Sequence, residues 1–280
     1  MKYDLHVHTT CSDGKYTRLE LLKKGNDIGL EYMCFTDHNY IDDDIDLLNK
    51  QYFDFYNSEQ NVKLFIGTEL DISEFPRLHI LGYDLDNFTE LKSELINLEH
   101  ANTEICRELV DKIKYNYNIS IPFSELEQMT KNGNVTKNIV VQWLIDHEYA
   151  KNVYDAGMRY TSKYSPCYVK RKSLKLEKAF SLIKKANGII VMAHPSSLKL
   201  SNDELNSFVR ELKILGLDGI EVFNADKTNY QQLAFYQYLA SNVGLLQTSG
   251  SDFHRETETP VFGLDNNFSD DFIKILKRRK

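Results

Sequence analysis

Apolar positions fall into two rhythms over most of the chain. Short runs at 3–8, 32–36, 63–70, 78–82, 188–193, 219–223 and 245–249 read as strands. Helical spacing covers 17–24, 41–56, 174–186, 203–215 and 230–241 between several of them. Gly25, Asn187-Gly188 and Gly216 stand where a helix would stop before the next strand. This alternation predicts an α/β fold on a parallel sheet, open or closed into a barrel. Residues 87–165 break the rhythm with one long amphipathic stretch, 90–114, then 123–130 and 135–147, and no convincing strand. The expected organisation is a main domain from 1–86 and 166–280 with a helical subdomain inserted at 87–165.

Composition narrows the class without naming a function. The 280 residues suffice for a substantial core. With 34 Lys and Arg against 41 Asp and Glu, the net charge is −7, so bulk charge would not hold nucleic acid, and a polyanion must meet a local cationic site. No stretch approaches the ~18 apolar residues of a membrane span, and the start, Met1-Lys2-Tyr3-Asp4-Leu5-His6, shows no apolar signal core. The four cysteines, at 11, 34, 106 and 167, form no Cys-x-x-Cys pair and fit a reduced cytoplasm.

The histidines change the picture. Six of the eight, His6, His8, His38, His79, His194 and His254, lie within or just after a predicted strand, while His100 and His147 lie in the inserted region. In α/β folds the carboxyl ends of strands are where ligands collect. His6-Val7-His8 puts two imidazoles on one strand face. Ser12-Asp13-Gly14 adds a carboxylate that could equally be a plain turn. Asp37-His38, Glu69, His79, His194-Pro195 and Asp252-Phe253-His254 continue the pattern from strand to strand. Each has an ordinary reading: a helix cap for Glu69, a satisfied core imidazole for His79. Together they offer the preferred ligands of zinc, manganese and iron, too many for one ion and suited to two or three divalent metals.

The ordered series His6-x-His8, Ser12-Asp13-Gly14, Thr36-Asp37-His38, Gly67-x-Glu69, His79, Ala193-His194-Pro195 and Gly250-Ser251-Asp252-x-His254 resembles the PHP (polymerase and histidinol phosphatase) family of metal-dependent phosphoesterases. The resemblance covers 1–86 and about 166–265 and implies a distorted seven-stranded β/α barrel with a trinuclear site. It assigns His6, His8, Glu69 and Asp252 to a first metal, Glu69 as a bridge with His79 and His194 to a second, and Asp13, His38 and His254 to a third. Many members carry His in place of Asp13, and the carboxylate suggests a harder, more Mn- or Fe-tolerant site. Asp252, His254 and Asp37 are the expected catalytic groups, with Asp4 and Asp37 read as acids orienting imidazoles. The helical insertion looks like that of the branch with nucleotide phosphatases and 5′-to-3′ exoribonucleases. Where such relatives carry Gly-Arg-x-His, this chain has Val135-Thr136-Lys137-Asn138, which keeps a cation and lacks the His.

The resulting expectation is hydrolysis of a phosphate ester by metal-bound hydroxide, the substrate a nucleotide or short oligonucleotide. No Ser/His/Asp set or phosphate-cradling glycine loop is needed, and no obligate protein partner is evident. Arg77, two residues before His79, Lys137 and Arg171 are the expected substrate contacts, with a solvated charge patch as the plain alternative for Arg171. Rival readings are a histidinol-phosphate or other small-molecule phosphatase, and a non-catalytic metal-binding or nucleic-acid-binding module.

Overall fold

In a computed structural model the described residues are 2–41, 44–130, 133–225, 227–256 and 262–279. The chain forms two compact units, residues 1–92 with 174–280, and residues 93–173. In the first unit, β1 (Lys2–Val7), α1 (Arg18–Asp27), β2 (Tyr32–Phe35), α2 (Ile45–Tyr56) and β3 (Lys63–Asp71) alternate, and the three strands pair in parallel. Positions 42 and 43 of the expected helix at 41–56 lie outside the described residues. Thr17 and Glu20 close a capping box at the start of α1, satisfying two otherwise open backbone donors.

β4 (His79–Tyr83) corrects the expectation of a parallel sheet: it runs antiparallel to β3, with Asp71 opposite His79. Only residues 72–78 join the two strands, and a parallel crossover needs about a dozen residues or more. The reversal matters for function, because the amino end of β4 lands beside the carboxyl end of β3.

The second unit is helical, with most of α3 (Thr89–Tyr117), then α4 (Phe123–Gln128), α5 (Lys137–Asp146) and α6 (Val153–Ala156). Its own core holds Leu109, Ile113, Leu126, Val140, Trp143 and Leu144. It begins and ends later in the chain than the expected 87–165.

The first unit resumes with α7 (Leu176–Lys185), β5 (Ile189–Met192), α8 (Asn202–Leu215), β6 (Gly219–Asn224), α9 (Tyr230–Val243) and β7 (Leu246–Gly250). Gly216 and Gly244 end α8 and α9 in the left-handed conformation that glycine adopts without strain. β5 pairs antiparallel with β4, and β5, β6 and β7 pair in parallel. The sheet then returns to β1: Asp252 N donates to His6 O at 2.8 Å and His8 N to Phe253 O at 3.0 Å, closing a seven-stranded barrel. The short β8 (Leu264–Asp265) adds to the edge of β1, and α10 (Asp270–Arg279) packs Phe272, Ile273 and Leu276 against Tyr3, Leu5, Tyr83 and Val191.

Candidate metal centre

Closing the barrel brings strand ends that are far apart in sequence onto one rim. His6 near the end of β1 and His8 just beyond it are fully buried, two residues apart along extended chain. Glu69 of β3 is also fully buried, and Asp252 follows β7 with φ of 58°, a left-handed conformation rare outside glycine. His6 Nε2 and His8 Nε2 lie 3.2 Å apart. Glu69 Oε2 is 3.4 and 3.2 Å from them, and Asp252 Oδ1 is 3.4 and 3.2 Å from them. These are five of the six separations among the four donor atoms, all of which lie within 4.8 Å of one another, close enough for one ion to be shared among them.

Protons alone do not satisfy this packing. Glu69 Oε2, His8 Nδ1, His38 Nδ1 and His194 Nδ1 are buried without an aligned hydrogen bond. A buried carboxylate oxygen left in that state is costly unless a cation compensates it. The other Glu69 oxygen faces a second group, with Oε1 3.0 Å from His79 Nδ1 and 2.8 Å from His194 Nε2. A third group gathers His8, Asp13, His38 and His254, and His254 Nε2 is 3.3 Å from Asp13 Oδ1. All nine residues expected as metal ligands therefore fall into groups able to hold an ion.

Three neighbours escaped the sequence reading. Asp71 lies one strand period beyond Glu69, 3.3 Å from His38 Nδ1, and Asn39 Nδ2 donates to its other oxygen at 2.9 Å. Glu221 sits in the apolar run of β6, the same signal that exposed Glu69. Its Oε1 is 3.0 Å from His6 Nδ1, turning His6 Nε2 toward the cluster, and its Oε2 accepts from His194 N at 2.7 Å. Lys227, in the turn after β6, donates to Asp252 Oδ2, and no strand periodicity could have placed it.

Other expected roles change. Asp37 orients no imidazole: its carboxylate accepts from Thr9 N and Oγ1 and from Ser12 Oγ at 2.7, 2.7 and 2.6 Å, pinning the loop after β1. Asp4 accepts from Ser251 N and Gly263 N, both at 2.9 Å, and likewise braces backbone. Arg77 precedes β4 in a turn closed by Leu78 N donating to Phe75 O, so strand alternation does not aim it with His79. It is exposed, in a groove it shares with Phe75, Leu200, Asp203 and Phe208. Lys137, in the second unit, donates its ammonium to Val169 O and sits over the Tyr168 ring. Arg171 is exposed in that same unit.

The fields in the cluster are strong. Burial opposes a charged His6, but Glu221, Asp252 and Glu69 overcome it and raise the imidazole well above its ordinary range. Burial is likewise outweighed at His8 by Asp252 and Glu69, at His38 by Glu69 and Asp71, and at His254 by Asp13, so all three are raised. Despite burial, the surrounding imidazoles hold Glu69 and Asp252 well below the usual carboxylate range.

Comparison with known proteins agrees with this arrangement. The PHP domain model matches residues 4–185. A 5′-3′ exoribonuclease of Haemophilus influenzae is 26% identical over 282 residues, covering 99% of this chain and 98% of its own. A 3′,5′-nucleoside bisphosphate phosphatase of Chromobacterium violaceum is 23% identical over 277 residues, covering 98% of this chain and 93% of its own. The fold matches a Bifidobacterium adolescentis structure, described as a proposed metal-dependent phosphoesterase, with a TM-score of 0.77 and 22% identity over 99% of this chain and 96% of that one.

Proposed function

Because the chain belongs to the PHP domain family, we infer that it is a metal-dependent hydrolase of phosphate esters. The observation that carries this reading is the Glu69 carboxylate, buried among five imidazoles with one oxygen facing each of two ligand groups. In this reading His6, His8, Glu69 and Asp252 hold one ion, Glu69, His79 and His194 a second, and Asp13, His38 and His254 a third. Divalent ions there would polarise phosphoryl oxygens, lower the pKa of water towards ~7 and neutralise charge on entering and leaving oxygens. The mixed imidazole and carboxylate donors suit manganese, iron or zinc.

The chain's own groups hold that chemistry in place. Glu221 fixes the His6 ring, and His254 Nδ1 lies 2.8 Å from Asp252 O, which leaves Nε2 toward Asp13. His254 and Asp252 are the side chains we assign to the reacting phosphate. Nucleotides or short oligonucleotides are the proposed substrates, supported by what the two similar enzymes are named for. None of the four cysteines is in a disulfide, in keeping with the proposed reducing cytoplasm, and no described helix is long and apolar enough to cross a membrane.

The test is a screen of 3′,5′-bisphosphonucleotides, short RNA, mononucleotides, sugar phosphates and histidinol phosphate after chelation, with and without added Mn²⁺. Activity should vanish with EDTA and return with the metal. Full turnover by protein shown to be metal-free by elemental analysis would overturn the reading. Preference for histidinol phosphate would move the substrate class and leave the chemistry standing.

A further inference from the structure

Side chains that reach back to the cluster hold the backbone of Lys227. Glu221 touches His6 through one oxygen and, through the other, accepts from Asn224 Nδ2 at 3.2 Å. Asn224 Oδ1 in turn accepts from Lys227 N at 3.2 Å, and Thr228 Oγ1 accepts from Asn224 N at 3.0 Å. The backbone of Lys227 is thus tied by two side chains to an imidazole of the first ligand group. Its ammonium reaches Asp252 from the side opposite the two imidazoles: Oδ2 meets Lys227, and Oδ1 meets His6 and His8.

Two features argue against a purely structural ion pair. An ammonium has three N–H donors, and Asp252 takes one. The Lys227 side chain is 32% exposed while that of Asp252 is 2% exposed, so the lysine reaches from the solvent side to a closed carboxylate. Asp252 also has His6 and His8 about its other oxygen, so Lys227 is not its sole partner. A phosphate drawn to the four-ligand corner would meet this cation across the shared carboxylate. Lysine suits the task as a compact charge with rotatable donors.

We propose that Lys227 is a substrate-binding residue whose ammonium holds an oxygen of the phosphate group during ester hydrolysis. The proposal rests on the phosphoesterase reading and adds to it a lysine ammonium that touches a ligand side chain of the first group.

The experiment compares the Mn²⁺-loaded protein with its Lys227→Met and Lys227→Arg variants. Binding of inorganic phosphate is measured by calorimetry at saturating metal, and metal content and affinity are measured separately. Lys227→Met should weaken phosphate binding about 10- to 100-fold, the range of a hydrogen bond to a charged group. Lys227→Arg should recover most of that loss, and metal affinity should stay within about threefold in both variants. Unchanged phosphate affinity in Lys227→Met at saturating metal would overturn the proposal and leave Lys227 as a brace for Asp252. Absence of both phosphate binding and ester hydrolysis in the parent would instead bring down the phosphoesterase reading beneath it.

Discussion

A glutamate with no solvent exposure has five imidazoles about its two oxygens, and while Oε1 is met by His79 and His194, Oε2 is buried without an aligned hydrogen bond among His6, His8 and His38. Replacing Glu69 by Gln keeps the volume and one acceptor but removes the charge shared by two ligand groups. Metal content per chain should fall by more than one ion's worth, with kcat down on the order of a hundredfold. Asp13→Asn should deplete mainly the third position, because Asp13 meets His254 at 3.3 Å and His8 Nδ1 at 3.8 Å and is itself a member of neither group that shares Glu69. Full metal content and parental activity in Glu69→Gln would break the shared-ligand account. Protonation follows the same geometry. The raised imidazoles of His6, His8, His38 and His254 stabilise the metal-free protein below their ordinary value of ~6.5, and this is lost as pH rises through the raised folded values. The depressed Glu69 and Asp252 act in the opposite sense, their contribution present above ~4.5 and lost as pH falls through the folded values. Since a metal must displace the imidazole protons, the Tm difference between Mn-loaded and stripped protein should widen from pH 6 to pH 8.5. A constant difference would mean that the rings are neutral before metal arrives.

Elements decide whether those residues meet at all. Gly250 ends β7 where a Cβ would lie 2.2 Å from His6 Cβ and 2.8 Å from His6 N, so β1 and β7 close only because no side chain intervenes. Gly250→Ala should cost about 3 kcal/mol or more and reduce metal content, because His6 and Asp252 flank the strained junction. Gly157→Ala is the control, having nothing within 4 Å of its Cβ position and a helical φ of −55°, and should change stability by less than ~0.5 kcal/mol. Chemical denaturation and elemental analysis of both variants decide the matter; equal stabilities would show that the closure is looser than this packing. The strands and nine ligand candidates were legible because buried strands leave unmistakable apolar runs and the ligands interrupt them. The direction of β4 was readable in principle from its short connection to β3, but periodicity carries no sign of direction. The surroundings of Arg77 and Asp37 were not legible for a related reason: sequence proximity to a ligand says nothing of whether a turn aims the side chain elsewhere. Lys227 lay outside any periodic element, and its role comes from a turn fixed by Glu221 and Asn224.

On the scale of the molecule, the ligands and the chain's one tryptophan belong to different compact units. Every candidate ligand lies in residues 1–92 or 174–280, and Trp143 lies in residues 93–173. The expected insertion at 87–165 and the compact unit at 93–173 differ at their first edge because the boundary at residue 93 falls within the continuous helix α3, where neither glycine nor proline marks it. Trp143 is buried, donates Nε1–H to Glu125 at 2.8 Å and stacks on His147 at 3.8 Å, so its emission reports the packing of its own unit. A metal that binds only the folded form stabilises the unit holding its ligands by RT ln(1 + [L]/Kd), about 4 kcal/mol at a thousandfold excess over Kd. Chelation should therefore lower the melting transition seen by far-ultraviolet circular dichroism, to which both units contribute, more than the transition seen by tryptophan fluorescence. The two probes should separate by several degrees in EDTA and converge as Mn²⁺ is titrated back. Because Glu69→Gln removes the shared ligand without touching residues 93–173, it should reproduce the separation even with metal present. Coincident transitions that shift together on chelation would show that the two units unfold as one cooperative body, and that metal binding stabilises the whole chain.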